Sequence, residues 1–292
     1  MRSIGGRSFR RAGGDITPFP AEPLPVAIYL QHLLETTSSC SSVDAALYGI
    51  KWAQETAGLV SPADSSLIVA VREASKRILG TGRSNRKEPI PPELLKSIVD
   101  GADLSNGLEL RNISLYLLCF SGFLRFDDVT RIKRNQVSFH NGYMSIKVVK
   151  SKNDQLRQGD EVLIAEGEGA ACPVKILKEY LTTFNIDPFS EEFIFRRLIK
   201  TKMSYKLASG SKPISYSTFR DHLRKTLRDF VPNPHVYGTH SFRSGGASAA
   251  ANSGVPDRVF QRHGRWKSAT AKNGYVKDST DVRLSVSKSL GL

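Results

Sequence analysis

The sequence predicts a mainly α-helical protein with one small antiparallel β-sheet, preceded by a small all-α domain. Two observations indicate this fold class. Apolar residues recur at three- and four-residue steps along most of the chain, as they do on the buried face of a helix. Between about residues 137 and 164, β-branched and aromatic residues instead form short runs separated by turn residues. At 292 residues the chain is long enough to form two domains.

Three helices are predicted in the first part of the chain, at 27–35, 43–57 and 63–79. The third shows the pattern most clearly, because Leu67, Val71 and Ile78 share one face. The segment GTGRSNRKEPIPP that follows is rich in Gly, Pro and basic residues, which sustain neither helix nor strand. We therefore predict a flexible basic arm at 1–22, a helical domain at 23–82, a linker at 83–92 and a second domain at 93–292.

The second domain is predicted to combine helices with a β meander. Its apolar run SLYLLCF marks a buried helix, and His140-Asn141-Gly142 marks a turn between strands. The helices are predicted at 92–99, 108–121, 174–183, 215–230, 241–253, 257–263 and 269–277, and the strands at 137–139, 143–149 and 161–164.

The charge balance favours a polyanionic partner. The formal net charge is +14, which raises the local concentration of polyanions, and nucleic acid is the leading candidate. A basic coat that maintains solubility and attraction to an anionic membrane surface are the alternatives. The basic arm is expected either to touch phosphates or to be an inert tail.

Cysteine usage and hydropathy indicate an intracellular protein. Cys40, Cys119 and Cys172 are odd in number and far apart, so they indicate neither a disulfide framework nor a zinc module. The sequence contains no apolar run of membrane-spanning length and no secretory signal. We expect the nucleus if the host is eukaryotic, and the cytoplasm or nucleoid if it is prokaryotic.

The segment THSFRSGGASAA contains the first functional motif. His240 and Arg243 lie three residues apart at the start of a predicted helix, so both side chains project to one side and suit an anion. The segment resembles the His-x-x-Arg box of the tyrosine recombinase, or phage integrase, family. In GFLRFDDV, Arg125 matches the first arginine of that family, and Asp128 matches the acidic residue that supports it.

The remaining motifs of the family follow in the expected order. In VVKSKNDQLRQG, Lys152 matches the lysine of the β-hairpin turn, with Lys150 as the fallback and Lys147 as a further candidate. In HGRWKSATAKNGYVKD, Tyr275 matches the nucleophilic tyrosine. Trp266 fills the His-or-Trp position nine residues earlier, for which His263 is the alternative.

The resemblance spans nearly the whole chain, and each matched residue also has a chemical reason to be there. Arg125 and Arg243 can grip phosphate oxygens with paired hydrogen bonds. His240 can donate to the same oxygens or accept the tyrosine proton, and Lys152 can protonate the departing 5′ oxygen. Tyr275 is a weak nucleophile at its free pKa of about 10 and needs neighbouring cations.

The resemblance therefore implies a recombinase that cuts and rejoins DNA through a 3′-phosphotyrosyl link, with no metal ion or other cofactor. It makes 23–82 the core-binding domain and 93–292 the catalytic domain. The motifs look more like those of mobile-element and eukaryotic transposon recombinases than of chromosome-dimer resolvases, so integration is the expected role.

Double-stranded DNA and further copies of the chain, from dimer to tetramer on DNA, are the expected partners, and no membrane is expected. The basic run at 196–206 is a candidate phosphate contact. Solvated surface charge is an equal interpretation of that run and of the named candidates, which are Arg77, Arg83, Arg86, Lys87, Arg131, Lys133 and Arg134.

Each matched residue has an ordinary structural alternative when it is taken singly. Tyr275 would be a core tyrosine, Trp266 a packing anchor and Lys152 a solvated charge. His240 with Arg243 would be a helix-capping pair, and Arg125 with its neighbouring aspartates a surface ion pair. The joint pattern favours the recombinase. The rivals are a domesticated DNA-binding protein that no longer cleaves and a basic scaffold that binds acidic proteins.

Overall fold

The computed structural model describes residues 20–80, 86–148, 159–210 and 212–291. Within these ranges the chain is mainly helical with two small antiparallel sheets, which confirms the predicted fold class. It divides into two compact units, Met1–Arg86 and Lys87–Leu292. Most of the predicted basic arm lies outside the described residues.

Over residues 20–80 the first unit forms the helices α1 (Pro23–Thr36), α2 (Cys40–Thr56) and α3 (Ser66–Leu79). The hydroxyl of Ser65 accepts a hydrogen bond from the amide of Ile68 and caps α3. The third helix begins three residues later than predicted, because Pro62–Asp64 form a 3₁₀ turn. Apolar residues from all three helices form the core of this unit, namely Val26, Ala27, Leu30, Val43, Leu47 and Ile68.

The second unit opens with helices and then forms the predicted meander. The helices are α4 (Pro92–Asp100), α5 (Gly107–Ser121) and α6 (Phe126–Thr130), and the strands are β1 (Val137–His140), β2 (Tyr143–Val148) and β3 (Asp160–Ala165). The strands pair in the antiparallel order β1-β2-β3. Gly142 ends the first turn with φ +80°, a conformation that favours glycine.

The chain then continues through helices and one further hairpin. The elements are α7 (Pro173–Thr183), β4 (Leu198–Lys200), β5 (Tyr205–Leu207), α8 (Tyr216–Arg228), α9 (Ser241–Asn252), α10 (Asp257–His263), α11 (Ala269–Asn273) and α12 (Thr280–Lys288). Strands β4 and β5 form the second sheet. Among the described residues no helix is long and apolar enough to cross a membrane.

The structure differs from the sequence predictions at five further places. The hairpin β4–β5 and the short helices α6 and α12 were not predicted. The helix predicted at 269–277 was wrong in its last residues, because α11 ends at Asn273 and leaves Tyr275 beyond it. Residues 87–92 were predicted as linker, but the Ile90 amide donates to the carbonyl of Ser241 at 2.9 Å within the second unit.

Two adjacent glycines allow α9 to pack tightly inside the second unit. A Cβ at Gly246 would lie 2.1 Å from the carbonyl oxygen of Phe120, and one at Gly245 would lie 2.1 Å from that of Ile90. Side chains at these positions are therefore excluded. The contact brings α9, which carries Arg243, against the end of α5.

Candidate active site

Arg125 and Asp128 meet at the start of α6, where Arg125 is the N-cap residue and Asp128 lies in the first turn. The backbone amide of Arg125 donates to Asp128 Oδ2 at 3.1 Å, and Arg125 Nη1 lies 4.0 Å from the same oxygen. The Asp128 side chain is 2% exposed and that of Arg125 is 15% exposed. The pair is therefore largely buried, and the alternative of a surface ion pair does not describe it.

Arg243 lies in the interior at the centre of the site. Its Nη1 donates to the carbonyl of Phe123, and its Nη2 donates to the carbonyl of Gly264 at 2.7 Å. Burial and the neighbouring guanidinium groups of Arg125 and Arg265 lower the pKa of Arg243, which still leaves it charged at neutral pH. The two backbone contacts fix the guanidinium between the Arg125 turn and the segment that leads to Trp266.

Trp266 and Tyr275 pack on this guanidinium. Arg243 Cζ lies 4.9 Å from the centroid of the Trp266 ring and 4.8 Å from that of Tyr275. The two rings are 5.5 Å apart. Among the described residues, Trp266 Nε1 and Arg243 Nε are buried donors with no hydrogen-bond partner. Buried donors without partners cost free energy unless something else accepts from them.

His263 occupies a different place from Trp266. Its Nε2 lies 2.8 Å from the carbonyl oxygen of Ser121, so that nitrogen is assigned the proton because a carbonyl only accepts. Burial lowers the pKa of His263. Its ring also packs nearly perpendicular to the Phe123 ring, with centroids 4.6 Å apart. Trp266, and not His263, is thus the residue in ring contact with Tyr275.

The structure describes His240 and one of the three lysine candidates, Lys147. His240 is exposed, precedes α9 and makes no side-chain cap to it, so it is not the predicted capping partner. Its Nδ1 lies 3.5 Å from Thr239 Oγ1. Lys150 and Lys152 fall outside the described residues, and Lys147 lies on β2 opposite Glu161.

Arg265 is a residue of the site that the sequence analysis missed. Its side chain donates to the carbonyls of Gly122, Phe123 and His263 at 3.1–3.3 Å. Its Nη2 also lies 3.8 Å from Asp128 Oδ2, the oxygen that faces Arg125. Arg265 therefore links the Arg125 turn to the segment before Trp266. In the sequence only its position between Gly264 and Trp266 distinguishes it from other basic residues.

The backbone of the site is held in an unfavourable conformation at two places. Phe123 and Arg265 adopt φ values of +45° and +56°, which residues other than glycine seldom adopt. The carbonyl of Phe123 accepts from both Arg243 and Arg265. Such residues cluster at functional sites, where surrounding contacts maintain them.

The candidate DNA contacts differ in the exposure of their side chains and in the contacts that these side chains already make within the protein. Exposed members are Arg77, Arg86, Lys87 and Arg131, and Arg83 lies outside the described residues. Lys87 donates to the carbonyl of His235 at 2.6 Å, and Lys133 lies 3.9 Å from Glu191. Arg134 is half-buried and donates to the carbonyl of Val137 at 2.8 Å. In the run at 196–206, Arg196 is buried and paired with Glu192.

Comparison with known proteins places this chain in a known class. Residues 90–281 match the model of the phage integrase family. The chain is 25% identical over 266 residues to an integrase/recombinase xerD homolog of Selenomonas ruminantium, covering 90% of this chain and 75% of that protein. The fold and the matched residues define the class of tyrosine recombinases.

Solved structures of this class share the fold. XerH site-specific recombinase bound to palindromic difH substrate aligns with TM-score 0.66 and 16% identity, covering 97% of this chain and 76% of that chain. The Tn1549 transposon integrase in complex with transposon right end DNA aligns with TM-score 0.64 and 13% identity over 98% and 91%. This chain belongs to the phage integrase family, as its motifs predicted.

Proposed function

We propose that this enzyme cuts and rejoins double-stranded DNA with Tyr275 as the nucleophile. The observation that carries the proposal is the packing of the Tyr275 ring on the guanidinium of Arg243, at 4.8 Å. The nucleophile therefore lies beside the guanidinium that is proposed to bind the phosphate it attacks.

Arg125, Arg243 and Trp266 are proposed to bind the scissile phosphate. The side chain of Arg125 is 15% exposed and supported by Asp128, so it is oriented and still accessible. Arg243 Nε and Trp266 Nε1 have no hydrogen-bond partner among the described residues, and phosphate oxygens would supply acceptors for them. His240 directly precedes α9, the helix of Arg243. It can donate to the phosphate or accept the tyrosine proton.

The reaction exchanges one phosphoester for another. The Tyr275 oxygen attacks phosphorus and loses its proton to a base, for which His240 is the candidate. The bond to the 5′ oxygen breaks, and Lys152 is proposed to protonate that leaving group. The 3′ phosphate then remains on Tyr275. Rejoining is the reverse attack by a 5′ hydroxyl, so the cycle needs neither ATP nor a metal ion.

Integration of a mobile element is the proposed role, with an assembly of two to four copies on DNA. The transposon-like character of GFLRFDDV and THSFRSGGA supports this role. The alignment with the Tn1549 integrase is compatible with it. The hairpin β4–β5 is proposed to contact DNA phosphates. The same is proposed for the basic candidates that the structure describes, which are Arg77, Arg86, Lys87, Arg131, Lys133 and Arg134.

Covalent trapping tests the proposal. The protein is incubated with a supercoiled plasmid library in EDTA without ATP, the reaction is quenched with denaturant, and DNA-linked protein is recovered. We expect an adduct with the wild-type chain and none with Tyr275→Phe, which keeps the ring packing but lacks the hydroxyl. Sequencing the attached DNA would give the target site.

The control separates cleavage from binding. Tyr275→Phe should bind DNA with the wild-type salt dependence, because the change removes no charge. The wild-type chain could instead bind DNA in a salt-sensitive way and form no adduct, even on DNA that contains its binding site. That result would favour the domesticated DNA-binding protein. Binding without steep salt dependence would favour the scaffold for acidic proteins.

A further inference from the structure

The backbone that follows Tyr275 is held against α9 by two polar side chains of that helix. Ser248 Oγ donates to the Tyr275 carbonyl at 3.4 Å and accepts from the Lys277 amide at 2.9 Å. One turn later, Asn252 Nδ2 donates to the Lys277 carbonyl at 3.2 Å, and its Oδ1 accepts from the Ser279 amide at 3.0 Å. The side-chain amide of Asn252 thus forms one donor and one acceptor bond with this segment, as the backbone of a neighbouring β-strand would.

The amides of Tyr275 and Val276 bond back to the end of α11, at 3.0 Å to Lys272 and 3.3 Å to Asn273, whereas the four bonds from Ser248 and Asn252 join the segment to α9. Residues 274–279 lie between α11 and α12 and belong to neither helix. Tyr275 and Val276 are half-buried against the cluster around Trp266, whereas Lys277 and Asp278 are exposed. The ion pair of Lys277 with Glu88 is exposed on both sides, and exposed pairs contribute little.

We propose that Ser248 and Asn252 are positioning residues that dock the nucleophile's segment on the helix that carries Arg243. The proposal rests on the proposed function, in which Tyr275 attacks the phosphate. Because both anchors and Arg243 belong to α9, the segment of Tyr275 and the guanidinium on which its ring packs share one rigid support. A misplacement of about 1 Å can lower the rate of a positioned reaction by about a hundredfold.

Hydrogen exchange in the full-length protein without DNA tests the docking directly. The amides of Lys277 and Ser279 are expected to be protected in the wild-type chain, because both are donors to α9. Ser248→Ala should raise the exchange rate of the Lys277 amide at least about tenfold, and Asn252→Ala that of the Ser279 amide. Asn252→Asp keeps the acceptor and should retain protection of Ser279. Amides inside α5 should be unchanged in all variants.

The rate of adduct formation tests the positioning role. On DNA recovered by covalent trapping, at saturating concentration, Ser248→Ala and Asn252→Ala should form the adduct at least about tenfold more slowly, with unchanged DNA affinity. Glu88→Gln is the matched control, because it removes the other contact of Lys277 and should leave the rate unchanged.

The outcomes distinguish the two proposals. Wild-type amides at Lys277 and Ser279 that exchange as in an unstructured peptide would overturn the docking. Faster exchange in the variants with an unchanged adduct rate would overturn the positioning role alone. Protected amides with no adduct even in the wild-type chain would overturn the assignment of Tyr275 and, with it, the positioning role.

Discussion

Among single residues, Arg265 has a side chain that stabilises the fold and a backbone conformation that costs free energy. Its guanidinium donates to three carbonyls, and its φ is +56°. Arg265→Gly and Arg265→Ala both remove the guanidinium, but only alanine retains the penalty of about 1 kcal/mol for a left-handed conformation. Both should lower the free energy of unfolding in urea by about 1–3 kcal/mol, and Ala should be the less stable by about 1 kcal/mol.

Equal stability of the two variants would contradict this account of the backbone. A stability equal to that of the wild-type chain would mean that the three hydrogen bonds contribute nothing. Since Arg265 also faces Asp128, the partner of Arg125, we expect both variants to form less covalent adduct than the wild-type chain.

His263 makes the stability of the second unit depend on pH. Burial lowers its pKa below the usual value of 6.5, so the unfolded chain binds the proton more readily than the folded one. Its contribution to stability is therefore present above about pH 6.5 and is lost as the pH falls toward the depressed value. His263→Gln should flatten this dependence of the unfolding free energy between pH 7 and 5.

His222 is a second half-buried histidine whose pKa is lowered by burial and by nearby cations. The His263→Gln variant should therefore retain part of the acid sensitivity, which His222→Gln would remove. An identical pH profile for the wild-type chain and the His263→Gln variant would rule out the assigned role of His263.

At the scale of the element, the contact between α9 and α5 depends on glycine. A Cβ at Gly246 would lie 2.1 Å from a backbone carbonyl, which cannot move without shifting α5. Gly246→Ala should lower the unfolding free energy by about 1–3 kcal/mol or more through overpacking. Gly49→Ala is the matched control in α2, where the added Cβ has no atom within 4 Å.

The control should be stabilising by about 0.5–1 kcal/mol, because alanine is the better helix former. Chemical unfolding of both variants measures the difference. A Gly246→Ala variant as stable as the wild-type chain would mean that the two helices can separate without cost.

The hairpin β4–β5 carries uncompensated positive charge, since no acidic residue occurs between residues 194 and 220. Its lysines at 200, 202 and 206 are exposed. If all three contact phosphates, replacing them with glutamine should reduce the slope of log affinity against log salt by about 2.7, or 0.9 per contact. Lys178→Gln is the control, because Lys178 pairs with Glu166 at 3.3 Å. An unchanged slope in the triple variant would remove the hairpin from the DNA interface.

Periodicity predicted the long elements and failed for the short ones. The helices α1 to α5 and α7 to α10 were predicted within about four residues at each end, because each presents an apolar stripe to a core. The three-residue strands β4 and β5 are too short to show a period, and α12 has no buried residue. Of the residues that the motifs predicted, Arg243, Trp266 and Tyr275 are in contact in the structure, and the roles of His240 and Lys152 stay predictions. The left-handed backbone of Arg265 and the docking by Asn252 depend on tertiary contacts that carry no local signal.

At the scale of the whole molecule, the question is whether each chain uses its own nucleophile. The Tyr275 ring lies 4.8 Å from Arg243 Cζ and 5.5 Å from the Trp266 ring of the same chain, and the four bonds from Ser248 and Asn252 hold its segment there. We therefore predict that Tyr275 attacks the phosphate bound by its own chain, in any assembly that forms on DNA.

Mixing two inactive variants tests this prediction. Tyr275→Phe keeps a complete phosphate site without a nucleophile, and Arg125→Lys keeps the nucleophile but loses the paired hydrogen bonds of the guanidinium. If attack occurs within one chain, an equal mixture should form no more adduct than either variant alone. Recovery of adduct on the Arg125→Lys chain would show that its Tyr275 reaches the site of a partner, and the docked segment would then have to leave α9 during catalysis. The same hydrogen exchange measurement on the Lys277 and Ser279 amides, repeated with DNA bound, would detect that release.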